Sequence, residues 1–170
     1  IFAPNYYSMN RGKAHYIFLN NNFYVGREYF YMGYYTEALL EWLEKDLSYV
    51  PEDGLVFVIQ HIPARLSPKQ LPFEYNGYVI AEQTTNATAL FDLLKGYKKS
   101  HIISGHMHFN LNVEHEEGPM EHNTGAVCGT WWRGDVCLDG TPMGYGVYEV
   151  DGDNVSWYYK SSGYDKDYQL

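Results

Sequence analysis

Three histidines stand where strands should end. The stretch "HIISGHMH", residues 101 to 108, carries an apolar run through Gly105 into His106 and His108, one residue apart. His61 directly follows a second apolar run, "LVFVIQ", and is followed by Ile62 and Pro63. Histidine is neither a good strand former nor a turn residue, so this placement asks for a chemical reason. Converging neutral imidazoles are natural ligands for Zn, Fe or Mn. The other histidines, His15, His101, His115 and His122, sit inside strand-like segments and read as packed or surface residues.

Convergence requires elements that bring residues 61 and 106 together. Residues 13–23 are rich in aromatic and β-branched side chains and predict a strand. Leu39, Leu43 and Leu47 then repeat every four residues, with Glu37, Glu41, Glu44 and Lys45 off that stripe. This is an amphipathic helix with Thr36 as N-cap, stopped by Pro51. Residues 54–60 form a continuous apolar run, the pattern of a strand buried on both faces. Residues 85–99 predict a second helix, with Leu90, Leu94 and Tyr97 along one side, and 100–104 the next buried strand. Strand–helix–strand–helix–strand implies crossovers onto a sheet with parallel pairing. In such a sheet the carboxyl ends of neighbouring strands share a crevice where ligands bind. Side chains two apart share a side of an extended chain, and Gly105 permits the turn that aims them.

The rest of the chain divides differently. Residues 64–84, with Pro68, Pro72 and Gly77, predict a lid-like functional loop. Residues 109–115, 119–124, 126–132, 144–150 and 154–161 read as short strands, with Asp151-Gly152 turning the last pair into a hairpin. The expected class is α/β (α+β), as a single unit over 1–170. Cys128 and Cys137 read as free thiols or as a disulfide closing the loop between them, depending on the compartment.

With 12 Lys and Arg against 21 Asp and Glu, the net charge is −9. That balance makes the chain a poor candidate for sequence-independent nucleic-acid binding, which needs a basic surface, and no such affinity is expected. No apolar run reaches the roughly 18 residues of a membrane span. The density of aromatics, 18 Tyr and 4 Trp among them, leans toward a bacterial periplasmic or cell-envelope protein over a cytoplasmic one, though composition does not fix the compartment. The chain opens "IFAPNYY" without an initiator Met, so an excised or processed piece is expected.

"VIQHIP" followed by "IISGHMH" resembles the last two motifs of the calcineurin-like metallophosphoesterases, and "HNTGAV" (122–127) resembles the Asn-x-Gly strand that follows them. The resemblance implies half of a layered β-sandwich flanked by helices. It also implies that His61 and His106 bind one metal and His108 the other, in a centre of two divalent ions (Mn, Fe or Zn) acting on a phosphate ester. The family's earlier motifs, Asp-x-His, Gly-Asp-x-x-Asp and Gly-Asn-His-Asp/Glu, are absent here. With them go the bridging aspartate and the histidine that assists the leaving group, so no catalytic residue is expected in this chain. Its expected partners are a missing N-terminal half or a second copy, and alone it should be nearly inactive. Two other readings stay open: a noncatalytic binding module that keeps the histidines, and a mononuclear three-His hydrolase. Trp131, Trp132 and Arg133 are candidates for a substrate wall, the arginine offering a fork to phosphate oxygens. The bland alternative puts both tryptophans in the core.

Overall fold

The computed structural model describes residues 5–26, 30–67, 82–116 and 118–168. Its centre is a six-stranded mixed sheet. The strands are β1 (Tyr7–Arg11), β2 (Ala14–Phe18), β5 (Leu55–Ile59), β6 (Lys99–Ser104), β7 (Leu111–Glu114) and β8 (Met120–Asn123), in the order β1-β2-β5-β6-β8-β7. The inner four, β2, β5, β6 and β8, run parallel, and each edge strand is antiparallel to its neighbour. The expected crossovers are present. Helix α1 (Glu37–Leu47) joins β2 to β5, and α2 (Ala87–Leu94) joins β5 to β6.

Alternation along β5 explains its unbroken apolar run. Val56 and Val58 face the helices, where Leu39, Leu43 and Leu47 of α1 meet Leu90 and Leu94 of α2. Leu55 and Phe57 face the other side and pack with Ala14. That side is partly covered by a separate hairpin, β9 (Gly144–Asp151) with β10 (Asn154–Ser161), whose Val155 joins this cluster. Leu43 is fully buried, so Leu43→Ala would cost about 2–5 kcal/mol. Thr36 caps α1 by accepting from the Leu39 N–H at 3.3 Å. Helix α2 ends at Leu94, before Tyr97, yet the Tyr97 hydroxyl still donates to Leu47 O at 2.6 Å and ties the helices together.

Two expectations fail. The strand over 13–23 breaks after Phe18, and a short pair, β3 (Asn22–Tyr24) with β4 (Tyr31–Gly33), follows. Asn20 Oδ1 accepts from the Asn22 N–H at 3.1 Å, a side-chain turn that competes with the ladder. Residues 126–132 are not a strand. Gly129, Trp131 and Trp132 take left-handed backbone angles (φ 53°, 49° and 57°), and the segment folds into turns closed by Gly129 N to Ala126 O and Trp132 N to Cys128 O. Most of the lid-like loop of 64–84 lies outside the described residues. Among those described, no helix is long and apolar enough to cross a membrane.

Candidate metal centre

β5 and β6 are parallel neighbours, with Ile59 opposite Ile103, so both chains leave the sheet at one edge. The pairing continues past the strands: Gly105 donates to the His61 carbonyl at 3.1 Å. This brings His61 Nε2 within 3.1 Å of His106 Nδ1, the rings edge-on with centroids 4.9 Å apart.

The turn that aims these residues differs from the simple expectation. Gly105 is not in the left-handed region; His106 (φ 68°) and His108 (φ 52°) are. Alternation along an extended strand therefore does not govern them, and they part. His106 turns to His61, while His108 Nδ1 lies 2.6 Å from Gly129 O and its ring stacks on Trp131 at 4.7 Å. A non-glycine residue in this conformation costs roughly 1–2 kcal/mol. Such strain persists only where the surroundings over-determine it. Here Leu138 N binds His108 O at 2.8 Å, and the Asn123 side chain donates to Phe109 O at 2.6 Å.

The loop carrying His61 is held by buried polar groups. The Asn21 side chain accepts from Ile62 N and donates to Ile62 O. Gln60 also donates to Ile62 O, and the Tyr35 hydroxyl holds Gln60 in turn. Beyond Pro63, the buried Glu121 carboxylate accepts from Ala64 N at 2.7 Å and Arg65 N at 3.0 Å, with His115 Nε2 at 2.9 Å. Sequence reasoning missed Glu121 and Asn21 as supports. Their only signal was a polar residue within or directly after an apolar strand.

Desolvation first, and then the nearness of His106 and His108, hold the His61 pKa below its ordinary value. His61 is therefore neutral at neutral pH, with a lone pair to offer. Among the described residues, no three His, Cys, Asp or Glu side chains come together as a metal cage. The donor set fits part of such a centre: the imidazole nitrogens of His61 and His106 converge, and no carboxylate among the described residues joins them.

Trp131 and Trp132 are 51% and 82% exposed, so neither belongs to the core, and Arg133 is exposed beside them. Sequence reasoning also missed Tyr31, whose ring meets His106 edge-on at 6.0 Å. It lies beyond the end of a third parallel strand, β2, where the same crevice logic would have pointed. Cys128 and Cys137 are both free; Cys128 Sγ lies 3.7 Å from His108 Nδ1, and Cys137 is buried against Tyr159.

Residues 121–170 match the family model described as the C terminal of calcineurin-like phosphoesterase. A dimetal phosphatase from Danio rerio shares the fold at a TM-score of 0.64 and 13% identity, over 92% of this chain and 57% of that one. The chain has a metallophosphoesterase-like fold. The family-model match over residues 121–170 supports the calcineurin-like family, and the structural likeness supports the fold. The matched segment begins at Glu121, after His61, His106 and His108. The chain spans little more than half the length of that dimetal phosphatase. No curated protein matches the sequence.

Proposed function

We propose that this chain is the C-terminal part of a metal-dependent phosphoesterase and brings His61, His106 and His108 to a centre of two divalent ions. The observation that carries the reading is the His61–His106 contact at 3.1 Å, formed where two adjacent parallel strands end. When bound, such an ion pair stabilises the attacking and leaving oxygens of an in-line displacement at phosphorus. The chain's own contribution is orientation. The Gly129 carbonyl, accepting from Nδ1–H of His108, leaves Nε2 as the lone-pair nitrogen of that ring. Partial desolvation and the nearness of the other two imidazoles favour the neutral form of His61 that a ligand needs.

Three imidazole ligands bring no negative charge to offset two dications. The bridging and charge-balancing carboxylates then come from outside these residues, and the segment beyond this chain is their source. On this reading residues 1–170 form one unit that lacks its reaction partner. Zinc, manganese and iron all suit imidazole donors, and the substrate is a phosphate ester. Purified residues 1–170, loaded with Mn or Zn, should turn over activated aryl phosphate monoesters and diesters poorly or not at all. Ready turnover that His106→Ala abolishes would show that the carboxylates are not needed.

A further inference from the structure

Two exposed aromatic groups flank the histidines, one on each side. On one side, Tyr31 of β4 meets His106, and its cross-strand partner Tyr24 of β3 is 61% exposed on the same face of that hairpin. On the other, Trp131 stacks on His108, and the neighbouring Trp132 is held in the left-handed conformation with 82% of its surface open. These side chains belong to no core cluster. The tryptophan turn is nonetheless fixed by backbone bonds, from Trp131 N to Gly129 O, Trp132 N to Cys128 O and Arg133 N to Thr130 O. A bulky residue forced to positive φ and left in water gains the fold nothing. Exposed apolar groups of this kind, gathered at a polar site, mark a binding surface.

We infer that the substrate of this site is a phosphate ester whose organic group is a flat ring, gripped between the Tyr24–Tyr31 pair and the Trp131–Trp132 turn. The inference rests on the phosphoesterase reading above and names the substrate class for it. Aromatic faces stack on flat rings with little regard for their substituents, so an aryl group and a nucleobase meet the same chemistry. With one cation in the turn, Arg133, and a chain carrying net −9, the surface is poorly suited to a polyanionic ligand.

Calorimetric titration of zinc-loaded residues 1–170 with 1-naphthyl phosphate, adenosine monophosphate and glycerol phosphate tests this. The ring phosphates should bind about tenfold more tightly than glycerol phosphate, the scale of one good stacking contact. The gap should close in Tyr31→Ala/Trp132→Ala, both partly exposed positions whose truncation leaves the core intact. Naphthyl binding without adenosine monophosphate binding identifies an aryl ester, and the reverse a nucleotide. Equal affinity for all three, or a ring preference that survives the double substitution, overturns the inference. Glycerol phosphate affinity unchanged by His106→Ala would instead count against the phosphoesterase reading. Detectable binding of none of the three would overturn both.

Discussion

Two histidine pairs in this molecule have nearly the same contact and opposite settings. His61 and His106 meet at 3.1 Å beyond the ends of β5 and β6, and His101 and His122 meet at 3.0 Å inside β6 and β8. The inner pair belongs to a stack that crosses four strands, Tyr16, Phe57, His101 and His122, with ring centroids 5.1 to 5.3 Å apart. Its backbone is regular strand, Asn112 Oδ1 satisfies His122 Nδ1 at 2.8 Å, and Trp157 of the hairpin covers it edge-on. The outer pair has His106 at positive φ, and His61 is exposed. A histidine contact alone therefore says little. What separates structure from candidate function is where the chain accepts strain and keeps lone pairs within reach of solvent.

The supports of the two regions should fail in different ways, and Glu121 gives the largest effect. Glu121→Ala removes the carboxylate from His115 and from two backbone N–H groups, all at a buried position. Stability should fall by about 3–5 kcal/mol, read by urea denaturation, because the partners stay buried and uncompensated. A loss below about 1 kcal/mol would mean the loop after His61 is held by something else.

The inner pair should show itself through pH. Burial, reinforced by His101, lowers the His122 pKa to about 4. The unfolded chain, titrating near 6.5, then binds the proton more readily than the folded one. Stability contributed by neutral His122 is complete above about pH 6.5, is lost as pH falls toward 4, and totals on the order of 3 kcal/mol. Urea midpoints of the wild type and His122→Gln, compared at pH 7 and pH 4.5, should converge at the lower pH. A difference that does not change with pH would remove His122 from the account.

The smallest effect concerns strain. Trp132→Gly relieves the left-handed backbone of an exposed residue and should raise stability by about 1 kcal/mol. A thermal midpoint that falls would mean the indole makes a stabilising contact after all.

Much of this was legible in the sequence. The four-residue leucine repeat of α1 and the apolar runs of β5 and β6 forced two crossovers, and with them the convergence of residues 61 and 106. The tryptophan turn was not legible. Its residues have high strand propensity, and left-handed angles at Trp131 and Trp132 contradict every local preference. The split aiming of His106 and His108 was hidden for the same reason, since spacing two implies one side only when the backbone is extended. Glu121 was hidden because a buried carboxylate in a strand shows its purpose only once Ala64, Arg65 and His115 surround it.

The central claim is that the outer histidines hold metal and the inner ones hold the sheet, and zinc titration of residues 1–170 tests it most directly. Losing a group that merely orients a ligand commonly costs 10–100-fold in metal affinity, so losing a ligand itself should cost about 100-fold or more. His106→Ala should weaken zinc binding by that factor with little change in stability, and His122→Gln should leave zinc affinity as it is. Zinc affinity that is indifferent to His106→Ala, or that falls equally in both variants, would contradict the account.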